Sequence, residues 1–510
     1  MPLPTLPEQT MDPLLIDTQP DSVAAWLERL PFTDLPECGR LLSQSMQNLS
    51  RVPLDSHLRH KLLKLYLKAV DRYYPLLENE IRQHDSLGTP KVRQLALLSV
   101  ELFALIFITF KQTLHDRLAK RGLLDREHPK IELMAYTMMA ARQLLSISQQ
   151  CYSPITPDFW YDCHQLHVFA SGRGWQDKGL ANDDSIQTIY LQILLMGLTP
   201  SNRLAPTEQA LSRQLIFDLA AKARLIPVEA LTQPVHGYLV DQQIDSPPRF
   251  LPISASKLGP GCFLLDLEPL RDILEKSREA LQKAQNNRQQ GLMIDELQLL
   301  SLLVEEWHQP KRRRHPRLKT QTIIEIVAAL PGIWFHRNDL SWQLPGISAE
   351  EDTPRHRPPP PPCLLAISNQ SDTGLLLHGQ PRDQSLRAGE LLLVTPPNQP
   401  ENAKLGIARW VALRADGREI ECGVEFIGGP PQPALAMPSI THPGDSFQFA
   451  LLLATPAGMP KLLLMAGRPY SQLREFRLHD GERESLIRVS RLHTQTPLFQ
   501  IMEYRDSEHF

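Results

Sequence analysis

Cysteine is scarce. The chain has six in 510 residues, Cys38, Cys151, Cys163, Cys262, Cys363 and Cys422. Such a density builds no disulfide framework, so a reduced compartment is expected. No charge sign dominates either. A formal net charge of -3 gives the chain as a whole no affinity for nucleic acid or anionic membrane, so any basic site must be local. Long apolar runs are also lacking. The longest, Leu95 to Phe110, is short for a bilayer and contains Glu101, which predicts a buried helix and no transmembrane segment. The first residues are Pro-rich and acidic, unlike a secretory signal, and a cytoplasmic protein is expected. There is no P-loop, nucleophile elbow or H-E-x-x-H string. Cys151, Cys163, His164 and His167 fit no zinc spacing, so neither a metal nor a cofactor is expected.

What is present divides along the chain. Residues 1–20 are polar, Pro-rich and expected to be mobile. Residues 21–235 read as an α-helical domain. Leu58–Leu76 has helical spacing, and Val92–Leu123, Ser185–Leu198 and Thr207–Leu225 follow suit. Residues 236–310 are mixed. Short strands or loops between His236 and Leu265 precede a helix capped by Asp266 with Pro269 in its first turn. Gly291 interrupts that helix, and a second piece runs from Leu292 to Trp307. Beyond Pro310 the β-branched stretch Thr322–Phe335 predicts a strand. A Pro-rich segment, 338–362, reads as an inserted loop. Five short strands follow: Cys363–Ser368, Leu375–His378, Glu390–Val394, Leu405–Leu413 and Arg418–Phe426. Asp416-Gly417 marks the last hairpin. Residues 436–510 are a further β region with a turn at Asp480-Gly481; they either extend the first β region or build a second one.

Two polar clusters edge the first β region. Lys311-Arg312-Arg313-Arg314-His315-Pro316-Arg317 precedes its first strand. Guanidinium groups grip phosphate oxygens bidentately, stack on purines and pair with the O6/N7 edge of guanine. Pro316 stiffens the run. Asn369-Gln370-Ser371-Asp372-Thr373-Gly374 forms a turn between strands, whose short side chains and backbone groups can read a base edge. Gly374 permits a positive φ or a close approach.

Arg313-x-x-x-Arg317 ahead of a first strand, then Asn369-x-Ser371-x-x-Gly374 between two later ones, resembles the signature of the PilZ domain. The hairpin of residues 405–426 resembles that family's closing strands, and the likeness covers residues 311–430. It implies a six-stranded antiparallel β-barrel that binds cyclic di-GMP, often as an intercalated dimer. It also implies that Arg313 and Arg317 hold guanine and phosphate while Asn369 and Ser371 contact a guanine. Arg312 and Arg314 stand beside them as accessory candidates. The two elements are far apart here, with the Pro-rich segment between them.

The fold class expected is therefore multidomain α plus β: a mostly helical N-terminal region, a PilZ-type barrel and a further C-terminal β region. The function expected is that of a non-enzymatic cyclic di-GMP receptor serving processes such as motility or biofilm formation. Ligand binding would reorient the helical region, which signals to a protein effector. The alternative is a degenerate barrel acting as an interaction scaffold without nucleotide binding. Binding of nucleic acid through the basic run is disfavoured by the overall charge and by the lack of interleaved aromatics. Glu229-Ala230-Leu231 and Glu279-Ala280-Leu281 spell the tripeptide that names cyclic di-GMP phosphodiesterases, but no metal-binding carboxylate motif accompanies them.

Overall fold

A computed structural model describes residues 6–10, 12, 16–83, 90–120, 126–180, 184–254, 258–286, 292–308, 318–320, 322–344, 358–414, 417–440, 445–455 and 458–507. The chain forms two compact units. The first holds residues 1–84, 94–201 and 206–312; the second holds 85–93, 202–205 and 313–510.

Among the described residues, eight α-helices come first: α1 (Pro20–Glu28), α2 (Leu35–Arg51), α3 (Ser56–Gln83), α4 (Pro90–Ala119), α5 (His128–Gln150), α6 (Phe159–Gly172), α7 (Ile186–Leu198) and α8 (Pro206–Leu219). Their starts follow from local chemistry. The Asp34 carboxylate accepts the Glu37 N–H at 3.2 Å to cap α2, and the Ser185 hydroxyl caps α7 through Thr188 N–H at 3.1 Å. The apolar run of α4 buries Leu95, Leu102, Phe103, Ile106, Phe107 and Phe110. By length and composition α4 would also cross a membrane, yet most of its apolar stretch lies inside the fold.

Polar groups buried among these helices are tied to one another. Lys111 pairs with Asp162, both almost fully buried. His164 Nδ1 meets the Tyr190 hydroxyl at 2.7 Å, and its Nε2 lies 3.1 Å from the Ser246 carbonyl. His167 bonds Gln187 and Gln242 at 2.6 and 2.9 Å. Both rings are thus engaged within the protein. Asp245 gathers the orphan N–H groups at the start of α6, accepting from Asp158, Trp160 and Tyr161.

The same unit holds a four-stranded antiparallel sheet of β1 (Arg224–Pro227), β2 (Val235–Asp241), β3 (Arg249–Ile253) and β4 (Cys262–Asp266) in the order β1-β4-β2-β3. Two packed helices follow, α9 (Glu268–Asn286) and α10 (Leu292–His308). Asp266 accepts the Glu268 N–H at 3.1 Å, as its place before α9 predicts.

From residue 318 on, the described residues of the second unit form strands, one α-helix and a short 3-10 turn, Pro400–Asn402. Its elements are β5 (Leu318–Lys319), β6 (Ile323–Ala328), α11 (Leu330–Arg337), β7 (Cys363–Ser371), β8 (Gly374–Gly379), β9 (Leu391–Thr395), β10 (Lys404–Leu413) and β11 (Ile420–Gly428). Then come β12 (Gln432–Pro438), β13 (Gln448–Leu453), β14 (Lys461–Ala466), β15 (Glu475–His479), β16 (Glu484–Gln495) and β17 (Phe499–Asp506). The stretch Thr322–Phe335 is not one strand. It leaves β geometry at Ala329, which has φ 68°, and Pro331 then sits in the first turn of α11. A proline there is preset for a helix and removes only an N–H that has no helical partner. Of the β-branched residues that carried the strand reading, all but Ile333 come before that point.

Strands β6 to β11 close on themselves, all antiparallel: β6 pairs with β7, β7 with β8, β8 with β11, β11 with β10, β10 with β9, and β9 with β6. Strands β12 to β17 form a second closed barrel, in the order β12-β13-β14-β17-β16-β15. Numbered from its own first strand, each barrel makes the same six pairings: 1–2, 2–3, 3–6, 6–5, 5–4 and 4–1. The C-terminal strands are thus a topological repeat of the first barrel, not an extension of it. One apolar core joins the two. Val327, Leu393 and Ile407 of the first barrel, Ile333 and Trp334 of α11, and Leu435, Phe449 and Ile501 of the second belong to a single buried cluster.

Candidate functional site

The turn between β7 and β8 carries Asn369, Ser371 and Gly374. Ser371 stands opposite Gly374, and Asn369 opposite Leu376. Between Ile367 and Asn369 the register slips at a bulge occupied by Ser368. Its hydroxyl lies 2.7 Å from His378 Nδ1. A bulge sharpens local twist and re-aims the side chains beyond it, here Asn369 and Ser371. Ser371 Oγ donates to the Gly374 carbonyl at 3.3 Å, which closes the turn on itself. Gln370, Asp372 and Thr373 are exposed, and Asn369, Ser371 and Gly374 are half-buried.

Gly374 earns its place through proximity. A Cβ built there would stand 2.1 Å from the Val424 carbonyl oxygen of β11. No side chain fits without moving the backbone of a neighbouring strand. Beside it the Phe426 N–H donates to the Thr373 carbonyl at 2.9 Å, so the turn is held by β11 as well as by its own strands. Glu425 faces Gly374 across that pairing and accepts from Arg409 Nε at 2.5 Å. This ion pair borders the turn, and no motif pointed to it. The register of β8 against β11 puts it there, and that register depends on closure of the barrel.

Strand β5 connects the turn to the basic run. Leu318 pairs with Gln370 and Lys319 with Asn369. Lys311, Arg312, Arg313, Arg314, His315, Pro316 and Arg317 lie outside the described residues, as does most of the Pro-rich insertion, 345–357, along with Gly291 and Asp416.

Residues 21–229 match the family model described as the N-terminal domain of the cyclic-di-GMP receptor FimW. The whole chain is similar to a Pseudomonas aeruginosa protein named cyclic-di-GMP receptor FimW. The two are 24% identical over 585 aligned positions, covering 99% of this chain and 93% of that protein. No solved structure matches the chain. The matched model falls on the helices α1 to α8, where no motif was legible, and ends before either barrel.

The second barrel lacks the corresponding chemistry. Its counterpart of the β7–β8 turn is residues 454–460, Ala-Thr-Pro-Ala-Gly-Met-Pro, with neither asparagine nor serine. Its first strand is entered through Gly429-Pro430-Pro431, with no arginine. Two barrels of one topology therefore differ at the position where the first carries its polar turn.

Proposed function

We propose that the chain is a non-enzymatic cyclic di-GMP receptor whose first barrel is a PilZ domain. One observation carries the reading: the strand entered directly from the Arg-x-x-x-Arg run, β5, pairs with Asn369 and Gln370 of the Asn-x-Ser-x-x-Gly turn. Asn369 lies 52 residues beyond Arg317 in sequence, yet the strand that follows the arginine run is paired with it. The name of the Pseudomonas aeruginosa relative supports the same ligand.

In this reading Arg313 and Arg317 hold guanine and phosphate, with Arg312 and Arg314 beside them. Asn369 and Ser371 read a guanine edge, and Gly374 keeps the turn low enough for the ligand to lie on it. The ligand binds as an intercalated dimer, whose stacked purines and four phosphates match a run of guanidinium groups. The run links α10 to β5. Drawing it onto the barrel then alters the attitude of the helical unit, which reports to a protein effector in the cytoplasm. Such a change requires the ligand to bind one arrangement better than the other.

Calorimetry on the full chain tests the proposal. Micromolar or tighter binding of cyclic di-GMP is expected, weakening as salt rises. Arg313→Ala and Arg317→Ala should each lower affinity at least tenfold, since each removes a charge-assisted contact worth about 1.5–3 kcal/mol. Unchanged affinity in both variants would sink the site assignment. Absence of binding by the unmodified chain would favour the scaffold reading instead.

A further inference from the structure

The second barrel repeats the first in topology without its polar turn, yet its outer surface is not featureless. Strands β15, β16 and β17 carry Glu475, Arg488 and Arg505 directly opposite one another in one cross-strand row. Glu475 accepts from Arg488 at 2.7 Å. Arg505 and Arg474 have no carboxylate partner among the described residues. Arg488 and Arg505 face each other as like charges, an unfavourable arrangement in a sheet pair, and Glu475 compensates only Arg488.

Two apolar side chains stand at one end of this row. Ile440 is 80% exposed and Leu473 is 62% exposed. Both border a surface cavity of about 670 Å³, and Leu473 and Arg488 also line a second one of about 380 Å³ that holds Ser490, Arg505 and Asp506. Leu473 is also strained, with φ 63°. Glycine or asparagine takes that conformation at little cost, and leucine does not. The turn is pinned there by Leu473 N–H to the Val489 carbonyl at 3.0 Å and Val489 N–H to the Arg474 carbonyl at 2.9 Å. A bulky apolar residue is thus held in a costly backbone state with its side chain in water, near Arg474 and Arg505, which have no carboxylate partner among the described residues. Backbone strain of this kind clusters at ligand clamps and switch regions.

We propose that this groove is a docking site for a segment of a partner protein that carries acidic residues beside apolar ones. Leu473 and Ile440 receive the apolar side chains. Arg474 and Arg505 receive the carboxylates, and insertion of a carboxylate relieves the Arg488–Arg505 repulsion. The inference does not rest on nucleotide binding by the first barrel.

Panning a random dodecapeptide phage library on the full chain tests it, with the Leu473→Gly variant as the counter-selection. Enriched sequences should combine Asp or Glu with Leu, Ile or Phe. A synthetic peptide from that pool should lose at least tenfold in affinity for both Leu473→Gly and Arg505→Glu. Leu473→Gly should also raise the melting temperature by roughly 2–4 °C, because it releases left-handed strain. That separates lost docking from lost folding. Enrichment equal on both baits, or selected peptides without acidic residues, would overturn the proposal. So would vesicles of phosphatidylglycerol binding the chain and not the variant, which would mark a lipid surface instead.

Discussion

Gly374 shows how one residue answers to two demands. In the sequence it reads as a turn glycine that is free to adopt positive φ. In the fold it lies in β8, and its missing Cβ makes room for the carbonyl of Val424. Gly374→Ala should therefore push β8 away from β11. We expect a loss of about 1–3 kcal/mol in urea denaturation, in the range of overpacked sites. Cyclic di-GMP affinity should fall at least tenfold, since Ser371 moves with the turn. A variant with native affinity would show that the turn is not where the ligand sits. The histidines make a second point at this scale. Their spacing raised the question of a metal. In the fold, Gln242 donates to His167 Nδ1 while His167 Nε2 faces the amide oxygen of Gln187, a pattern that suits the neutral ring.

Among the elements, α11 changes the architecture most. It interrupts the strand-like reading of Thr322–Phe335 and places Trp334, fully buried, between the barrels. The Trp334 indole N–H donates to the Ala434 carbonyl at 2.8 Å, and its ring lies against Phe449 and Trp342. Trp334→Ala should cost about 3–5 kcal/mol, typical of a deleted core aromatic. Because the cluster belongs to both barrels, calorimetry should show their melting shifted together; an unchanged first barrel would argue that they fold independently. The individual strands were largely legible, since each is a short apolar or alternating run bounded by Gly, Asn, Asp or Pro. β12 was missed. Its sequence, Gln-Pro-Ala-Leu-Ala-Met-Pro, holds two prolines and no β-branched residue, so it is a strand by virtue of its partners β13 and β15.

At the scale of the whole molecule, the buried polar groups of the helical unit set its response to acid. Burial holds His167 and His60 down to about 4, and holds His164 below its usual value. The unfolded chain protonates these rings near pH 6.5 and the folded one does not. Their contribution is complete above pH 6.5 and lost as pH falls from there toward 4. Asp162, raised by burial to about 6, works in the opposite sense, because its folded form takes up a proton before the unfolded one does. For His167 the loss between pH 7 and pH 5 is about 2 kcal/mol by linkage. Urea titrations at the two pH values should show the loss reduced by about that amount in His167→Gln; an unchanged difference would place the acid sensitivity elsewhere. The fold class, with helices first and β-barrel structure after, was readable because periodicity and turn residues are local signals. The Arg-x-x-x-Arg and Asn-x-Ser-x-x-Gly strings were readable for the same reason. Sequence alone could not decide that the C-terminal strands close into a second barrel of the same topology, that β5 lies on the motif strand, or that Glu425 and Arg409 border the turn. Each depends on strand pairing between segments far apart in the chain, where the order and register that bury the most apolar surface win over any local preference.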